Sequence, residues 1–271
     1  MVTQSEYGTV FKAIETNLLS LWNKSPRREE LFRRLDAYKA VAERTFDDAD
    51  YYRMLVHVVF FSGFKAVIVS KKMPTIDEHF PDYKTVAGYG EKELGAIAED
   101  PLMIRNKKKI EACRDNAKTL RDMVARNGSF SRYVDSFAPK ASFENIMRLR
   151  EDLIRRFRYL GGVTSLHFLM DIGMPVVKPD LTVMRVFSRL GIVESEKPTE
   201  ENIRKAISVA ERIARDTGEP IRYVDVVFSS HAMATITGDG FSQGICLKAQ
   251  PKCHACPVQV SCDYYRTHSG L

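Results

Sequence analysis

Residues 158–191 read RYLGGVTSLHFLMDIGMPVVKPDLTVMRVFSRLG, and this stretch decides the fold. Gly161 and Gly162 stand together between two segments of helical spacing, which predicts a tight turn that joins two helices. Glycines in such a turn leave backbone N–H groups facing outward, and N–H groups at helix ends bind phosphate. The alternative is an ordinary packing bend between helices, and on the turn alone that interpretation is the better one.

Asp180 lies further along the same stretch, directly after Pro179 and ahead of an amphipathic segment. This position predicts an N-cap, in which the carboxylate accepts hydrogen bonds from the first N–H groups of a helix. A cap residue that faces a cleft can also stabilise a developing positive charge in a reaction. The structural and the catalytic interpretations of Asp180 are therefore compatible.

Four of the five cysteines stand close to the C-terminus, in the stretch CLKAQPKCHACPVQVSC. Cys246, Cys253, Cys256 and Cys262 have the spacing C-x6-C-x2-C-x5-C, and four thiolates are the ligand set of a [4Fe–4S] cluster. A structural zinc site is the rival interpretation, because four cysteines also bind zinc. The short, unequal intervals favour the cluster. Cys113 stands apart and is expected to be a buried, inert thiol.

The composition is that of a basic globular chain. It has 271 residues, and 41 Lys and Arg against 35 Asp and Glu give a formal charge of +6. Such an excess is compatible with a nucleic-acid partner, although many basic proteins bind none. The chain begins with MVTQSEYGTVFKAIE, which lacks the basic and apolar regions of a secretory signal, and no apolar run is long enough to span a bilayer. A cytoplasmic, nucleoid-associated location is expected.

Helical periodicity dominates the rest of the chain. Apolar residues recur at three- and four-residue spacing within residues 29–46, 51–72, 91–100 and 107–128. Residues that commonly begin or end helices bound these segments, including Pro74 after the second of them and Gly128 after the last. Strand-like alternation is scarce, so the sequence predicts an all-α protein.

Three motifs together resemble the helix-hairpin-helix DNA glycosylase superfamily, in its endonuclease III-like form. Residues 160–164, LGGVT, resemble the family's L-P-G-V-G hairpin, although the proline is absent and Thr164 replaces the second hairpin glycine. Residues 177–186, VKPDLTVMRV, resemble the V-D-T-H-x-x-R-V stretch that carries the family's catalytic aspartate. The cysteines of residues 246–262 match the family's cluster loop in number, order and intervals.

The resemblance implies a two-lobed, all-α helix-hairpin-helix DNA glycosylase fold with a C-terminal [4Fe–4S] cluster loop and a cleft between the lobes. We expect residues 50–165 to form a helical barrel domain that ends in the hairpin. Residues 1–49 together with 166–271 are expected to form the second helical domain, which carries the cluster loop. The family's proteins are usually monomeric, and a monomer is expected here.

The resemblance also assigns roles to residues. Asp180 falls on the catalytic aspartate, and the four cysteines fall on the ligands of a structural cluster. The hairpin residues expected to contact DNA are Gly161, Gly162, Val163, Thr164 and Ser165. Leu166 falls where bifunctional members of the family carry a nucleophilic lysine, and leucine cannot form a Schiff base. A glycosylase without lyase activity is implied, with Lys178 and Lys65 as the alternative sources of an amine.

The early helices resemble those of 3-methyladenine DNA glycosylase I, most clearly in Ile104–Ala112, IRNKKKIEA. The glutamate with which that enzyme reads the base falls on Val58, so its base-reading chemistry cannot be transferred. A flipped base requires a pocket of aromatic and apolar groups. The candidates for that pocket, each of which could instead belong to the core, are Phe60, Phe61, Phe64, Trp22, Tyr159, His57 and Lys65.

Together these features predict a monofunctional glycosylase of base excision repair that acts on double-stranded DNA. Because a cationic alkylated purine is a good leaving group, Asp180 and an apolar pocket can suffice to release it, and such purines are the expected substrates. Mismatched or deaminated bases and oxidised pyrimidines are alternatives within the same class. The alternatives from other classes are a non-catalytic sensor of distorted DNA and a redox protein whose cluster carries electrons. The residue that fills the emptied base stack is not predicted.

Overall fold

The structure is a computed structural model that describes residues 2–233 and 244–268. Every regular element within these ranges is helical, which confirms the predicted all-α class. Short 3₁₀ turns lie at Gln4–Glu6, Val41–Glu43, Cys253–Ala255 and Gln259–Ser261. The α-helices are α1 Tyr7–Asn23, α2 Arg28–Lys39, α3 Asp48–Phe61, α4 Ala66–His79, α5 Tyr83–Val86, α6 Glu91–Glu99, α7 Lys107–Asn127, α8 Phe130–Asp135, α9 Phe143–Arg156, α10 Thr164–Asp171, α11 Leu181–Arg189, α12 Glu200–Thr217, α13 Ile221–Ala232 and α14 Asp263–His268.

The chain divides into two compact units. Arg44–Met174 form one, here called the central unit, and Met1–Glu43 with Pro175–Leu271 form the other, the terminal unit. The domain boundaries predicted from the sequence, at 50 and 165, stay a prediction. Among the described helices none combines the length and the apolar character that crossing a lipid bilayer requires.

The central unit is built around α7. Asn106 caps this helix by accepting a hydrogen bond from the Lys109 N–H, and Gly128 ends it with a φ of 83°. That backbone conformation favours glycine, as the sequence predicts for this position. The apolar side of α7 packs against α3 and α5, and its Ile110 and Leu120 are fully buried. Burial of this side accounts for the stability of a helix whose other residues are mainly charged.

The second predicted helix, over residues 51–72, is two helices in the structure. α3 begins after the Asp47 cap and ends at Phe61, and Gly63 adopts a φ of 75° before α4 begins. The predicted helix end at Pro74 is wrong, because α4 continues to His79 with this proline inside it. A proline removes one helical hydrogen bond, but Val69 before it and Ile76 after it are fully buried and hold the helix together.

The terminal unit packs α1 against α12 and α13, and α11 against α13. Its core is aromatic: Phe11 lies 6.2 Å from Tyr223 and 5.9 Å from Phe228 between ring centroids. Phe187 of α11 meets Phe228 edge to face at 5.0 Å. Edge-to-face pairs of this kind add to the stabilisation that burial provides. This core fixes α11 and α13, the two helices next to Asp180.

Candidate functional site: a helical hairpin, a capping aspartate and four thiols

The hairpin joins α9 to α10 through residues 157–163, all within the central unit. Neither Gly161 nor Gly162 has a positive φ; the left-handed residue is Tyr159, with a φ of 65°. The two glycines are exposed, and so they present backbone where a side chain would otherwise stand. The two glycines were expected to form the tight turn. In the structure Tyr159 makes the turn, and the glycines leave the backbone accessible.

Thr164 and Arg150 hold the hairpin in place. The Thr164 hydroxyl accepts from the Gly161 N–H at 2.6 Å and donates to the Tyr159 carbonyl at 2.7 Å. Arg150 of α9 is buried, and its guanidinium donates to the Gly162 carbonyl at 2.9 Å and to the Ser165 hydroxyl at 3.2 Å. Thr164 thus takes a structural role at the position where the resembling motif has glycine.

The outer side of the hairpin offers donors to a ligand. Within residues 2–233 and 244–268, the N–H groups of Gly162 and Val163 make no hydrogen bond. Gly162 is exposed, Val163 is partly exposed, and Ser165 is fully buried. Two adjacent free N–H groups ahead of a helix form a site that suits a phosphate oxygen. Ser165 would support the turn from inside, while the two exposed N–H groups are available outside.

Asp180 caps α11 in the terminal unit, as its sequence position predicts. Its Oδ1 accepts from the N–H groups of Thr182 at 2.8 Å and Val183 at 3.1 Å. Its Oδ2 lies 3.2 Å from the Lys178 ammonium, and 29% of its side chain remains exposed. Burial acts to raise the pKa of Asp180, but the Lys178 charge and the two N–H donors outweigh it and lower that pKa. Asp180 is therefore an ionised carboxylate with one side open to solvent.

A second carboxylate lies behind Lys178. The Lys178 N–H donates to Asp225 Oδ1 at 2.8 Å, and Arg222 donates to Asp225 Oδ2 at 3.1 Å. Burial acts to lower the pKa of Lys178, but the charges of Asp180 and Asp225 outweigh it and raise that pKa. The Lys178 amine is thus held protonated between two carboxylates.

The four clustered cysteines lie in the terminal unit, and two of them contact Arg189. Arg189 donates to the Cys246 sulfur at 3.4 Å, and the Cys262 thiol donates to the Arg189 carbonyl at 3.2 Å. Burial raises the pKa of Cys256 to about 12, and the charges of the other three thiols add to that shift. Within the described ranges, no three His, Cys, Asp or Glu side chains are arranged to hold a metal ion.

Two of the predicted pocket residues, Phe64 and Tyr159, lie around one buried lysine in the central unit. The Lys109 ammonium donates to the Ser62 carbonyl at 2.6 Å and also to the Val59 carbonyl. It lies 5.3 Å from the ring centroid of Phe64 and 4.6 Å from that of Tyr159. Burial lowers the pKa of Lys109 to about 8. Phe61 makes an edge contact with the ring of His167, at 6.2 Å.

The other predicted pocket residues have separate surroundings. Phe60 is fully buried and packs against Phe80. His57 lies 2.6 Å from an Asp77 carboxylate oxygen, and Lys65 is the exposed residue before α4. Trp22 is buried in the terminal unit. Their assignment to a base pocket stays a prediction.

Two further positions bear on the chemistry. Leu166, at the place of the lysine in bifunctional enzymes, is fully buried in α10, and Val58 is fully buried in α3. Both are core residues of the central unit.

The sequence did not single out Asp225, which stands as one acidic residue within the apolar run YVDVVF and gives no local signal. Lys109 does have a signal, because it is the lysine of IRNKKKIEA.

Comparison with known proteins gives one family and several similar folds. A family model described as methyladenine glycosylase matches residues 39–175, just over half of the chain. An 8-oxoguanine glycosylase/lyase of Methanocaldococcus jannaschii, solved with DNA containing 8-oxoguanine, is 17% identical, with 82% of this chain and 95% of that chain covered and a TM-score of 0.53. The 8-oxoguanine DNA glycosylase of Thermotoga maritima is 18% identical, covering 79% and 95%, with a TM-score of 0.50. A 3-methyladenine DNA glycosylase I of Staphylococcus aureus is 21% identical, covering 56% and 87%, with a TM-score of 0.46.

Proposed function

The chain belongs to the methyladenine glycosylase family of DNA glycosylases, and from this premise we propose that it is a monofunctional enzyme that releases alkylated purines from double-stranded DNA. Membership confirms the resemblance found in the early helices and the expected class of enzyme, a DNA N-glycosylase. The proposed release of alkylated purines rests on one observation, which is that Asp180 is an ionised and partly exposed carboxylate fixed at the start of α11.

Asp180 has the properties that cleavage of an N-glycosidic bond requires. As the base departs, positive charge develops on the sugar, and a fixed carboxylate stabilises that charge. The same carboxylate can orient or deprotonate the attacking water. Its two N–H donors hold Oδ1 on the helix, Oδ2 pairs with Lys178, and the part of the carboxylate that stays exposed can face the reacting sugar. Because its pKa is lowered, Asp180 is charged at neutral pH.

The hairpin supplies the contact with DNA in this proposal. The exposed N–H groups of Gly162 and Val163 suit a phosphate oxygen, and such contacts fix the position of a protein on the duplex without reading its sequence. Thr164 and the buried Arg150 keep that backbone in one conformation. A preformed site of this kind avoids an ordering cost when DNA binds.

Alkylated purines are the proposed substrates because the carboxylate with which the resembling enzyme reads the base is absent here. Val58 is apolar and buried where the resembling enzyme has its base-reading glutamate. Phe61, Phe64 and Tyr159 offer aromatic surfaces for stacking on an extruded base. A purine that already carries a positive charge leaves without prior protonation, so its release needs no acid from the protein.

The absence of lyase activity is proposed from the residues that could supply an amine. Leu166 cannot attack the sugar, and Lys178 is held protonated by two carboxylates, which makes it a poor nucleophile. The product would be an intact strand with an abasic site. Lys65, on the exposed turn before α4, is the remaining candidate for an amine.

A [4Fe–4S] cluster is part of the proposal. The donor set fits it in chemistry, since the other three thiols lie close enough to raise the pKa of Cys256 and Arg189 offsets the negative charge that the thiolates would bring. A cube binds each thiolate at a separate iron, so its ligands need not converge on one point as four cysteines around one zinc do. Cys246, Cys253, Cys256 and Cys262 would hold the cluster, which would fix the loop that carries them. No step of base release passes through it.

The test is base release from a panel of duplexes, each with one alkylated, deaminated, oxidised or mismatched base. Products are resolved with and without alkali. We expect release from the alkylated duplexes and strand breaks only after alkali. Breaks without alkali would show an amine nucleophile, with Lys65 as the first to replace. Tight binding to damaged duplexes without release from any of them would favour the non-catalytic sensor instead.

A further inference from the structure

The terminal unit contains a buried carboxylate, Asp225, to which the proposed reaction assigns no role. Asp225 is 2% exposed, in the middle of α13, among apolar neighbours. A carboxylate is costly to bury unless charged and hydrogen-bonded partners surround it. Its partners are the Lys178 N–H and the Arg222 guanidinium, and the latter lies over the ring of Tyr38 at 4.5 Å. These partners connect Asp225 directly to the residue that pairs with Asp180.

We propose that Asp225 is a positioning residue for base release, which acts on Asp180 through Lys178; this inference rests on the proposed role of Asp180. Asp225 fixes the backbone of Lys178, two residues before Asp180, and so sets where the capping carboxylate begins α11. The charge of the Lys178 ammonium acts on both carboxylates, although its contact at 3.2 Å is with Asp180.

The charges of the group explain why this sharing matters. Asp180 and Asp225 carry two negative charges, and Lys178 and Arg222 carry two positive ones, so the four side chains are balanced. If Asp225 loses its charge, one positive charge is left uncompensated beside Asp180. A cation that develops on the sugar is then stabilised less, because the interaction is electrostatic and the site is partly shielded from water.

The same group predicts how the rate depends on pH. Burial raises the pKa of Asp225 to about 6, against the opposing charges of Arg222 and Lys178. The pKa of Asp180 is lowered instead, so Asp180 stays ionised where Asp225 takes up its proton. The rate of release should therefore fall as the pH drops through about 6, although Asp180 itself has not titrated.

The charged groups around Asp225 are few. Arg222 faces it from its own helix, and Lys178 and Asp180 face it from the segment that leads into α11. The helices α1, α2, α11 and α12 also pack against α13. Glu15 of α1 and Lys39 of α2 act on Tyr223, and Lys39 lies 4.0 Å from its ring centroid. Arg185 of α11 donates to the carbonyl of Ala232 at the end of α13, and Arg212 of α12 pairs with Asp216 of the same helix.

The experiment compares Asp225→Asn with the wild type. The asparagine keeps an oxygen that can accept from the Lys178 N–H, but it removes the charge and the second oxygen, which accepts from Arg222. Asp216→Asn is the matched control, because it removes the charge of an Asp–Arg pair on the surface of α12 in the same unit. The substrate is duplex DNA methylated with dimethyl sulfate, and the readout is single-turnover release of methylated purines between about pH 4.5 and 8, corrected for release without protein.

For Asp225→Asn we expect release at neutral pH to be slower by about tenfold, with DNA affinity unchanged. We also expect the loss of rate near pH 6 to be present in the wild type and in Asp216→Asn but absent in Asp225→Asn. A wild-type rate and an unchanged pH profile in Asp225→Asn would overturn the inference. Asp180→Asn, measured alongside, separates the two proposals, since an active Asp180→Asn would overturn the catalytic role of Asp180 itself.

A second variant keeps the test decisive if Asp225→Asn does not fold. Lys178→Met changes a partly exposed side chain and removes the charge that lowers the pKa of both carboxylates. We expect its loss of rate on acidification to begin at higher pH than in the wild type. A profile that coincides with that of the wild type would contradict the coupling between Asp225, Lys178 and Asp180.

Discussion

Arg150→Met should destabilise the hairpin without changing its sequence. Arg150 is 4% exposed and donates to the Gly162 carbonyl at 2.9 Å and to the Ser165 hydroxyl at 3.2 Å. A hydrogen bond that involves a charged group contributes about 1.5 kcal/mol or more, so the loss of both amounts to about 3 kcal/mol. For a chain of this size such a loss corresponds to a fall in the melting temperature of roughly 5 to 10 °C.

The assay is thermal unfolding followed by circular dichroism, together with amide hydrogen exchange at residues 162–165. The matched control is Arg148→Met, since Arg148 is an exposed arginine on the same helix whose contact is with Asn145. We expect a small change in the control and faster exchange at the hairpin in Arg150→Met. If both variants unfold at the wild-type temperature, the hydrogen bonds from Arg150 do not hold the hairpin and the reasoning is refuted.

Two further predictions concern the buried lysine and the thiols. Because the pKa of Lys109 is lowered to about 8, the folded protein binds fewer protons than the unfolded chain above that pH. The free energy of unfolding of the wild type, measured in urea, should therefore rise between pH 8 and about 10 by on the order of 1–2 kcal/mol relative to that of Lys109→Met. The same pH dependence in the two proteins would contradict this. After anaerobic reconstitution, Cys256→Ser should lose bound iron and the visible absorbance of the cluster. Cys113 is the fully buried thiol outside the loop, and Cys113→Ser should keep both. Equal amounts of iron in the two variants would exclude Cys256 as a ligand.

Local rules predicted the features that neighbouring residues control. Gly128 ends α7 because the chain must turn there with a positive φ, and Asp180 caps α11 because a carboxylate before an amphipathic segment has N–H donors within reach. The all-α class follows from the helical spacing of apolar residues, which the structure confirms. These features depend on a few residues on either side, and the sequence therefore contains the information needed.

Features that depend on packing were not predictable in the same way. Pro74 usually ends a helix, yet burial of Val69 and Ile76 on both sides keeps it within α4. The hairpin takes its left-handed residue from Tyr159 although two glycines stand beside it. Hydrogen bonds from Thr164 and Arg150 determine this arrangement, and Arg150 lies on the preceding helix.

The candidate site likewise combines a residue that the sequence predicts with contacts that it does not predict. Asp180 could be named from its motif, but its electrostatic surroundings could not, because Asp225 stands 45 positions further along the chain, in an apolar run. Tertiary packing of α13 brings Asp225 to the Lys178 N–H, at 2.8 Å. A pattern of residue types has no means of predicting such a contact between distant segments.

The central claim is that Asp180 drives base release, and the most direct test is single-turnover release of methylated purines by Asp180→Asn. Asparagine is as good an N-cap as aspartate, so α11 should keep its cap while the negative charge is lost. We expect release to fall by about a hundredfold or more, with binding to DNA retained and Asp216→Asn as active as the wild type. Release by Asp180→Asn at the wild-type rate would contradict the account.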